Sequence, residues 1–267
     1  MKNYLVVAGI LVIASFCSCS KDSEVDNNNE VKNGTLKDGL LAYYPFNGNI
    51  NDESGNKYNL SGYGATPSTN RFNETGKAFS FDGIKQNLVI PSINADSVPE
   101  CTISLWVKRA STITNTIISL PSINSNYCAS RIGFQNFNNA DDRLSSNMTT
   151  IVVPNNCTSI SLVDSIENPL GKWCHIVLIQ KFRMPTSSTR MAYFQYFNGQ
   201  KVGFHETEYY IVQNRTSFIK GGVIGCMTRN FDMRTNYEHF KGDIDDVRIY
   251  NRAITDKEVA ELYALRE

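Results

Sequence analysis

Apolar and polar positions alternate in short runs along most of the chain, with a period of two rather than the 3.6 of a helix. The cleanest run is Thr102-Ile103-Ser104-Leu105-Trp106-Val107-Lys108, which puts Ile103, Leu105 and Val107 on one face and Thr102, Ser104 and Trp106 on the other. Lys77–Phe81 alternates in the same way and stops at Asp82-Gly83, and Leu88–Ile90 stops at Pro91. Further strands are predicted at Leu40–Phe46, Thr116–Leu120, Arg131–Phe137, Ser159–Val163, Cys174–Gln180, Met191–Phe197, Gly222–Gly225 and Ile244–Tyr250. After the first of them comes Asn47-Gly48-Asn49-Ile50-Asn51-Asp52-Glu53-Ser54-Gly55-Asn56. Those residue types tolerate positive φ or hydrogen-bond their own backbone, so the segment is a loop. One helix is predicted near the C-terminus. Thr255 with Glu258 forms a capping box, and Val259, Leu262 and Tyr263 form an i, i+3, i+4 stripe. Many short strands with Gly, Asn and Pro punctuation predict an all-β sandwich or barrel. No repeat or Pro/Gly-rich linker interrupts residues 38–267, which read as one domain.

The N-terminus has another texture. Lys2 gives a positive start, and Tyr4–Phe16 is an apolar run of thirteen residues. A membrane-spanning helix needs ~20, so the run fits the core of a signal peptide. Phe16-Cys17-Ser18-Cys19 resembles a lipobox, which makes 1–18 a lipoprotein signal peptide and Cys19 the acylated residue. Cys17 and a plain secretory cleavage are the alternatives. Residues 19–37 are acidic and Asn-rich, a polar tether that cannot bury enough apolar area to fold. A short acidic run directly after the lipid cysteine resembles the surface-export signal of some Gram-negative lipoproteins. The expected location is therefore the outer membrane, exposed on the cell surface.

Composition adds limits. Of the 267 residues, 41% are hydrophobic and 19% charged, enough for a full core. Lys plus Arg equals Asp plus Glu at 26 each, so the chain as a whole lacks the field that holds nucleic acid. Beyond Cys19 lie five cysteines, Cys101, Cys128, Cys157, Cys174 and Cys226. An exported compartment permits disulfides, and the odd count leaves at least one thiol unpaired. No CxxC spacing offers a zinc cage. Cys128 and Cys157 lie in polar, loop-like sequence and are the expected pair. Cys101 and Cys174 sit in strand-like sequence, where a buried thiol acts as a small hydrophobe.

Several blocks, taken in order, resemble one known family. They are Leu41-Ala42-Tyr43-Tyr44-Pro45-Phe46-Asn47-Gly48-Asn49 with Asn51–Asn56, Ala78-Phe79-Ser80-Phe81-Asp82-Gly83, Thr102–Val107, Lys172-Trp173-Cys174-His175-Ile176-Val177, Phe197-Asn198-Gly199-Gln200 and Phe240–Ile254. Together they resemble the bacterial laminin-G-like, concanavalin A-like domains from about residue 39 to 265. Residues 109–170 match poorly, and Cys174 stands where that family usually has histidine. The resemblance implies a two-sheet antiparallel jelly roll. It also implies a carbohydrate-binding or adhesion module, often with one calcium ion.

The candidate chemistry follows from this. Calcium takes six to eight oxygen ligands, mixing carboxylates with carbonyls. The 47–56 loop is rich in both, so Asn47 and Asp52, with Asp245 brought beside them by the family fold, are the expected calcium ligands. The alternative is that Asp245 pairs with Arg248 or caps loop amides, and that Asp52 only shapes a turn. Asp243-Ile244-Asp245-Asp246 superficially resembles the alternating acids of related glucanases, but Arg248 stands where the last acid belongs. Hydrolysis needs two carboxyls across the bond. His175, His205 and His239 are isolated, and no Gly-x-Ser-x-Gly, P-loop or His-Glu-x-x-His occurs. The chain is expected to be a non-catalytic, lectin-like glycan-binding module. An adhesion or structural protein is the alternative, and a glycoside hydrolase the second. For the glycan, the expected contacts are Tyr127, Arg131, Phe137, Tyr209, Tyr210 and Arg229, aromatic and polar residues of the variable loops.

Overall fold

The structure is a computed structural model and describes residues 35–93, 100–121, 129–137, 141–153, 156–164, 170–183, 190–208, 221–227 and 238–266. Its strands form two antiparallel sheets. The first runs, edge to edge, β13 (Gln200–Glu208), β12 (Arg190–Phe197), β11 (Trp173–Arg183), β6 (Cys101–Arg109), β15 (Lys241–Tyr250), β4 (Thr75–Asp82) and β3 (Thr66–Thr69), with β1 (Leu40–Tyr44) also paired to β15. The second runs β10 (Asn156–Asp164), β9 (Asp141–Val153), β8 (Ala129–Phe137), β7 (Asn115–Pro121), β14 (Gly222–Ile224), β5 (Asn87–Ile90) and β2 (Ser61–Tyr63). This is the two-sheet sandwich that the strand pattern and the resemblance imply.

The inner faces make the main core. Ile103, Leu105 and Val107 of β6 and Ile244, Val247 and Ile249 of β15 meet Leu88, Ile118, Leu120, Ile132 and Phe134 of the second sheet. Each such side chain contributes about 1.5–3 kcal/mol on leaving water. The outer face of the first sheet is covered too. Val177, Ile179, Ala192, Phe194, Tyr196 and Tyr250 lie beneath Ile254, Val259 and Leu262, the last two from α1 (Asp256–Ala264). Burial on both faces is why β11, β12 and β15 hold long runs of buried residues rather than alternating ones.

The helix begins as predicted. Glu258 N donates to Thr255 Oγ1 at 3.2 Å, and Thr255 N donates to Glu258 Oε2 at 2.7 Å. Arg252 clamps Glu258 at 2.5 Å and also donates to the carbonyls of Asp38 and Thr35, so the folded body starts at Thr35. The first strand stops at Tyr44, because Pro45 has no donor and Phe46 adopts a φ of 54°. β2, β3, β9 and β13 carry little apolar alternation and were not predicted. Cys101, Cys174 and Cys226 are buried thiols in no disulfide. Cys157 lies in β10, opposite Ile151, whereas Cys128, Cys19, the signal peptide and most of the tether lie outside the described residues.

Register fixes the ends of the sandwich. Lys241 pairs with Asp82, Gly242 with Arg109, and Trp173 with Lys108, so the starts of β15 and β11 meet the ends of β4 and β6. The chain enters at the opposite end, where Leu40 pairs with Tyr250.

Candidate functional site

An open cleft of about 440 Å³ lies where β15 begins, lined among others by Ser80, Lys108, Leu170, Lys241 and Asp243. Alternation along β15 turns Ile244 inward and Asp243 outward. The Asp243 carboxylate accepts from Lys108 Nζ at 2.7 Å and from Ser68 Oγ at 2.9 Å. The Lys108 ammonium lies 5.3 Å from the ring centroid of half-buried Trp173, a cation–π contact that steers the side chain across the outer face. Leu170 is 49% exposed on the rim, and Gly171 N donates to Arg109 O at 2.8 Å, which fixes that rim to the end of β6. Gly242 has a φ of 144°, and a Cβ there would run into the Lys108 carbonyl and the Phe240 ring. Only glycine lets β15 approach β6 closely enough to set Asp243 beside Lys108.

Deeper along β15 is a second polar row. A bulge between Asp245 and Arg248, with Asp246 at a φ of 49°, turns two consecutive carboxylates to the same side. Arg71 Nη1 reaches both, meeting Asp245 Oδ2 at 3.1 Å and Asp246 directly. Arg248 lies 3.6 Å from Asp246, and Tyr43 OH donates to Asp246 Oδ1 at 2.9 Å. Burial and the neighbouring Asp246 push the Asp245 carboxyl above the usual carboxylate range, against the pull of Arg71. The Arg71 guanidinium lies 4.6 Å over Trp106, which stacks on His175 and Tyr263. His175 Nε2 is 2.9 Å from Ser104 Oγ, and burial holds the imidazole down at about 3, therefore neutral. The row is sealed, with Asp245, Asp246 and His175 at 2%, 3% and 1% exposure. It therefore serves as an internal polar layer between sheet and helix.

The expected calcium ligands all meet groups of the protein itself. Asp52 accepts four hydrogen bonds from the protein itself, from Tyr43 N, Ser54 N, Ser54 Oγ and Tyr58 N, all at 2.9 Å. Asn47 Oδ1 faces the Lys77 ammonium at 2.9 Å, where a second cation is repelled. Asp245 belongs to Arg71. Tyr43 separates the two groups, its backbone N on Asp52 and its phenol on Asp246. Asn47, Asp52 and Asp245 thus each have protein partners of their own. Among the described residues no cluster of three or more His, Cys, Asp or Glu side chains is placed to hold a metal. The Asp245 carboxyl meets Arg71 and also accepts from Asp246 N at 2.8 Å, the amide-capping role open to it from sequence.

Two of the expected glycan contacts lie in described strands, both in β8. Arg131, in β8 on the second sheet, donates to Glu238 Oε2 at 3.0 Å, and Thr116 Oγ1 donates to the same oxygen at 2.8 Å. Phe137 ends β8 opposite Asp141. Tyr127, Tyr209, Tyr210 and Arg229 lie outside the described residues. Sequence reading missed Ser80, Lys108, Leu170 and Lys241. The one available signal was Lys108 as the charged residue that follows the apolar alternation of β6.

A family profile described as the concanavalin A-like lectin/glucanases superfamily matches residues 82–260. The chain belongs to that superfamily. No curated protein matches it in sequence. Solved concanavalin A-like structures share its fold. Domain 4 of AbnA, a GH43 extracellular arabinanase from Geobacillus stearothermophilus solved with arabinotriose, is 21% identical with a TM-score of 0.53, over 84% of this chain and 98% of that one. The binding domain of Paraclostridial Mosquitocidal Protein 1 is 16% identical at a TM-score of 0.60, over 86% of this chain and 52% of that one. The botulinum neurotoxin type G receptor-binding domain is 18% identical at 0.55, over 84% and 51%. This chain spans about half the length of the two toxin domains. At these identities the likeness establishes the fold, and function must be argued from the site.

Proposed function

We propose that this protein is a non-catalytic, lectin-like module that binds a carbohydrate in the cleft at the start of β15. The supporting observation is the cleft itself. It sets a hydroxyl (Ser80), a carboxylate–ammonium pair (Asp243 and Lys108) and an exposed aliphatic rim (Leu170) around about 440 Å³. Ligand pockets of ~300–1,000 Å³ join apolar walls to a few oriented polar groups in this way. The arabinotriose bound by domain 4 of AbnA makes a plant-type oligosaccharide the first ligand to try. The carboxylates of β15 each face a cation, which favours binding over acid–base work at those residues. We further propose that lipid on Cys19 holds the module at the outer-membrane surface.

A glycan array that includes arabino-oligosaccharides, probed with residues 35–267, tests the reading. Binding to at least one glycan is expected, with a loss of tenfold or more in Asp243→Asn and Leu170→Asp variants of unchanged melting temperature. An array with no binder removes the lectin reading. Binding untouched by both variants removes the cleft.

A further inference from the structure

Six large hydrophobic residues are well exposed among the described residues, and four of them share one end of the sandwich. Ile84 follows β4, Ile113 follows β6, Leu170 precedes β11, and Tyr63 closes β2 opposite Asn87. Their exposures are 73%, 73%, 49% and 66%. The register of β15 with β4 and β6, and of β2 with β5, carries all four to the cleft end, away from the entry of the chain at Leu40. These side chains are held outward by built turns. Asp82 Oδ1 accepts from the amides of Ile84, Lys85 and Gln86 at 2.8, 3.1 and 3.2 Å, and Ser111 Oγ accepts from Ile113 N at 3.2 Å.

Between the apolar tips stand Lys85, Lys172 and Lys241, all exposed and, among the described residues, without an ion pair. The acids at this end whose side chains are described are already engaged. Asp82 serves its own turn, Asp243 faces Lys108, and Glu238 faces Arg131. Among the described residues, one end of a protein neutral as a whole thus sets exposed apolar tips beside ammonium groups with no ion pair.

We infer that this end docks on an anionic lipid surface. Ile84, Ile113, Leu170 and Tyr63 enter the boundary between headgroups and acyl chains, and the three lysines bind the phosphates. Interfacial binding needs this pairing of apolar area with basic charge. A sugar is a poorer match for the tips, because Ile84 and Ile113 offer neither an aromatic face nor a concave wall. The contact is additional to any lipid on Cys19. It lies at the far end of the sandwich from Leu40, so the membrane it meets need not be the one that holds any lipid on Cys19.

The test is sedimentation with vesicles of phosphatidylcholine, with and without phosphatidylglycerol, using residues 35–267. That span holds both hydrophobic clusters and all fifteen strands and lacks Cys19. The domain should sediment with the mixed vesicles, not with phosphatidylcholine alone, and binding should weaken as salt rises. Ile84→Asp with Ile113→Asp should abolish sedimentation without changing the melting temperature. Alanine at the three lysines should weaken it about a hundredfold, at roughly fivefold each. Phe204→Asp, in exposed β13 of the first sheet, should leave it intact. The inference is overturned if the domain stays in solution with the mixed vesicles, or if the paired aspartates leave binding unchanged. It also fails if the lysines serve only to retain an acidic polysaccharide. The vesicles carry no carbohydrate, so failure here leaves the glycan reading standing, and an empty glycan array leaves this one standing.

Discussion

His175 illustrates what an ionisable side chain becomes when both faces of a sheet are covered. Its ring is stacked on Trp106, hydrogen-bonded to Ser104 and held neutral by burial, with Arg248 and Arg71 adding repulsion against a proton. The imidazole is depressed to about 3 in the fold against an ordinary value of 6.5. Stability from the neutral ring is therefore complete above 6.5 and is lost as pH falls from there toward 3, by at most about 1.4 kcal/mol per pH unit. Urea midpoints measured from pH 7 to 4 should fall more steeply for the wild type than for His175→Gln, and parallel curves would remove His175 as the cause. Asp52 makes a different prediction. Alanine there leaves three amides and a hydroxyl without their charged acceptor, at a cost of about 2–4 kcal/mol. Because those donors fill the carboxylate, added calcium should not raise the melting temperature of the wild type. A rise with calcium that Asp52→Ala abolishes would return the ion to this loop.

At the scale of elements, the helix and the strand before it act together. α1 has only nine residues, too few to be stable alone. It is held by its capping box, by the Arg252–Glu258 pair and by the burial of Val259 and Leu262 on β11 and β12. Thr255→Ala should cost about 1 kcal/mol, and the loss should appear first as faster amide exchange in 256–264 and in the outer face of β11. Unchanged exchange would show that packing alone holds the helix. Strands differed in how legible they were. β6 declared itself through clean alternation. β13, whose sequence is Gln-Lys-Val-Gly-Phe-His-Glu-Thr-Glu, and β9, which opens Asp-Asp-Arg, did not, because neither has the apolar face that alternation detects. They exist because neighbouring strands offer backbone hydrogen bonds to complete.

For the whole molecule, the geometry is one of opposite ends. The chain enters beside Tyr250, and the cleft and exposed tips lie where β15 begins, ten residues and about 30 Å away along that strand. A tether at the entry end would leave the cleft facing outward. Cys19→Ala should move the protein from the membrane fraction to the soluble one, and the wild type on intact cells should be open to added protease. Persistent palmitate labelling in the variant would point to Cys17, and full protection would place the domain on the periplasmic side.

The sequence by itself determined the elements whose signals are local. The capping box at Thr255 spans four residues, the turn chemistry of 47–56 lies within one loop, and the alternation of β6 lies within one strand. These, with the ordered family blocks, were enough for a two-sheet sandwich. Pairings between distant residues were decided only by the tertiary structure. Arg71 meets Asp245 across a separation of 174 residues, and Asp243 meets Lys108 because Gly242 lets two backbones approach. An unpaired carboxylate in an apolar strand announces that a partner exists, since burying it alone is costly. It cannot say which partner, because that depends on a bulge, a register and a covering helix, each fixed by packing of the whole chain.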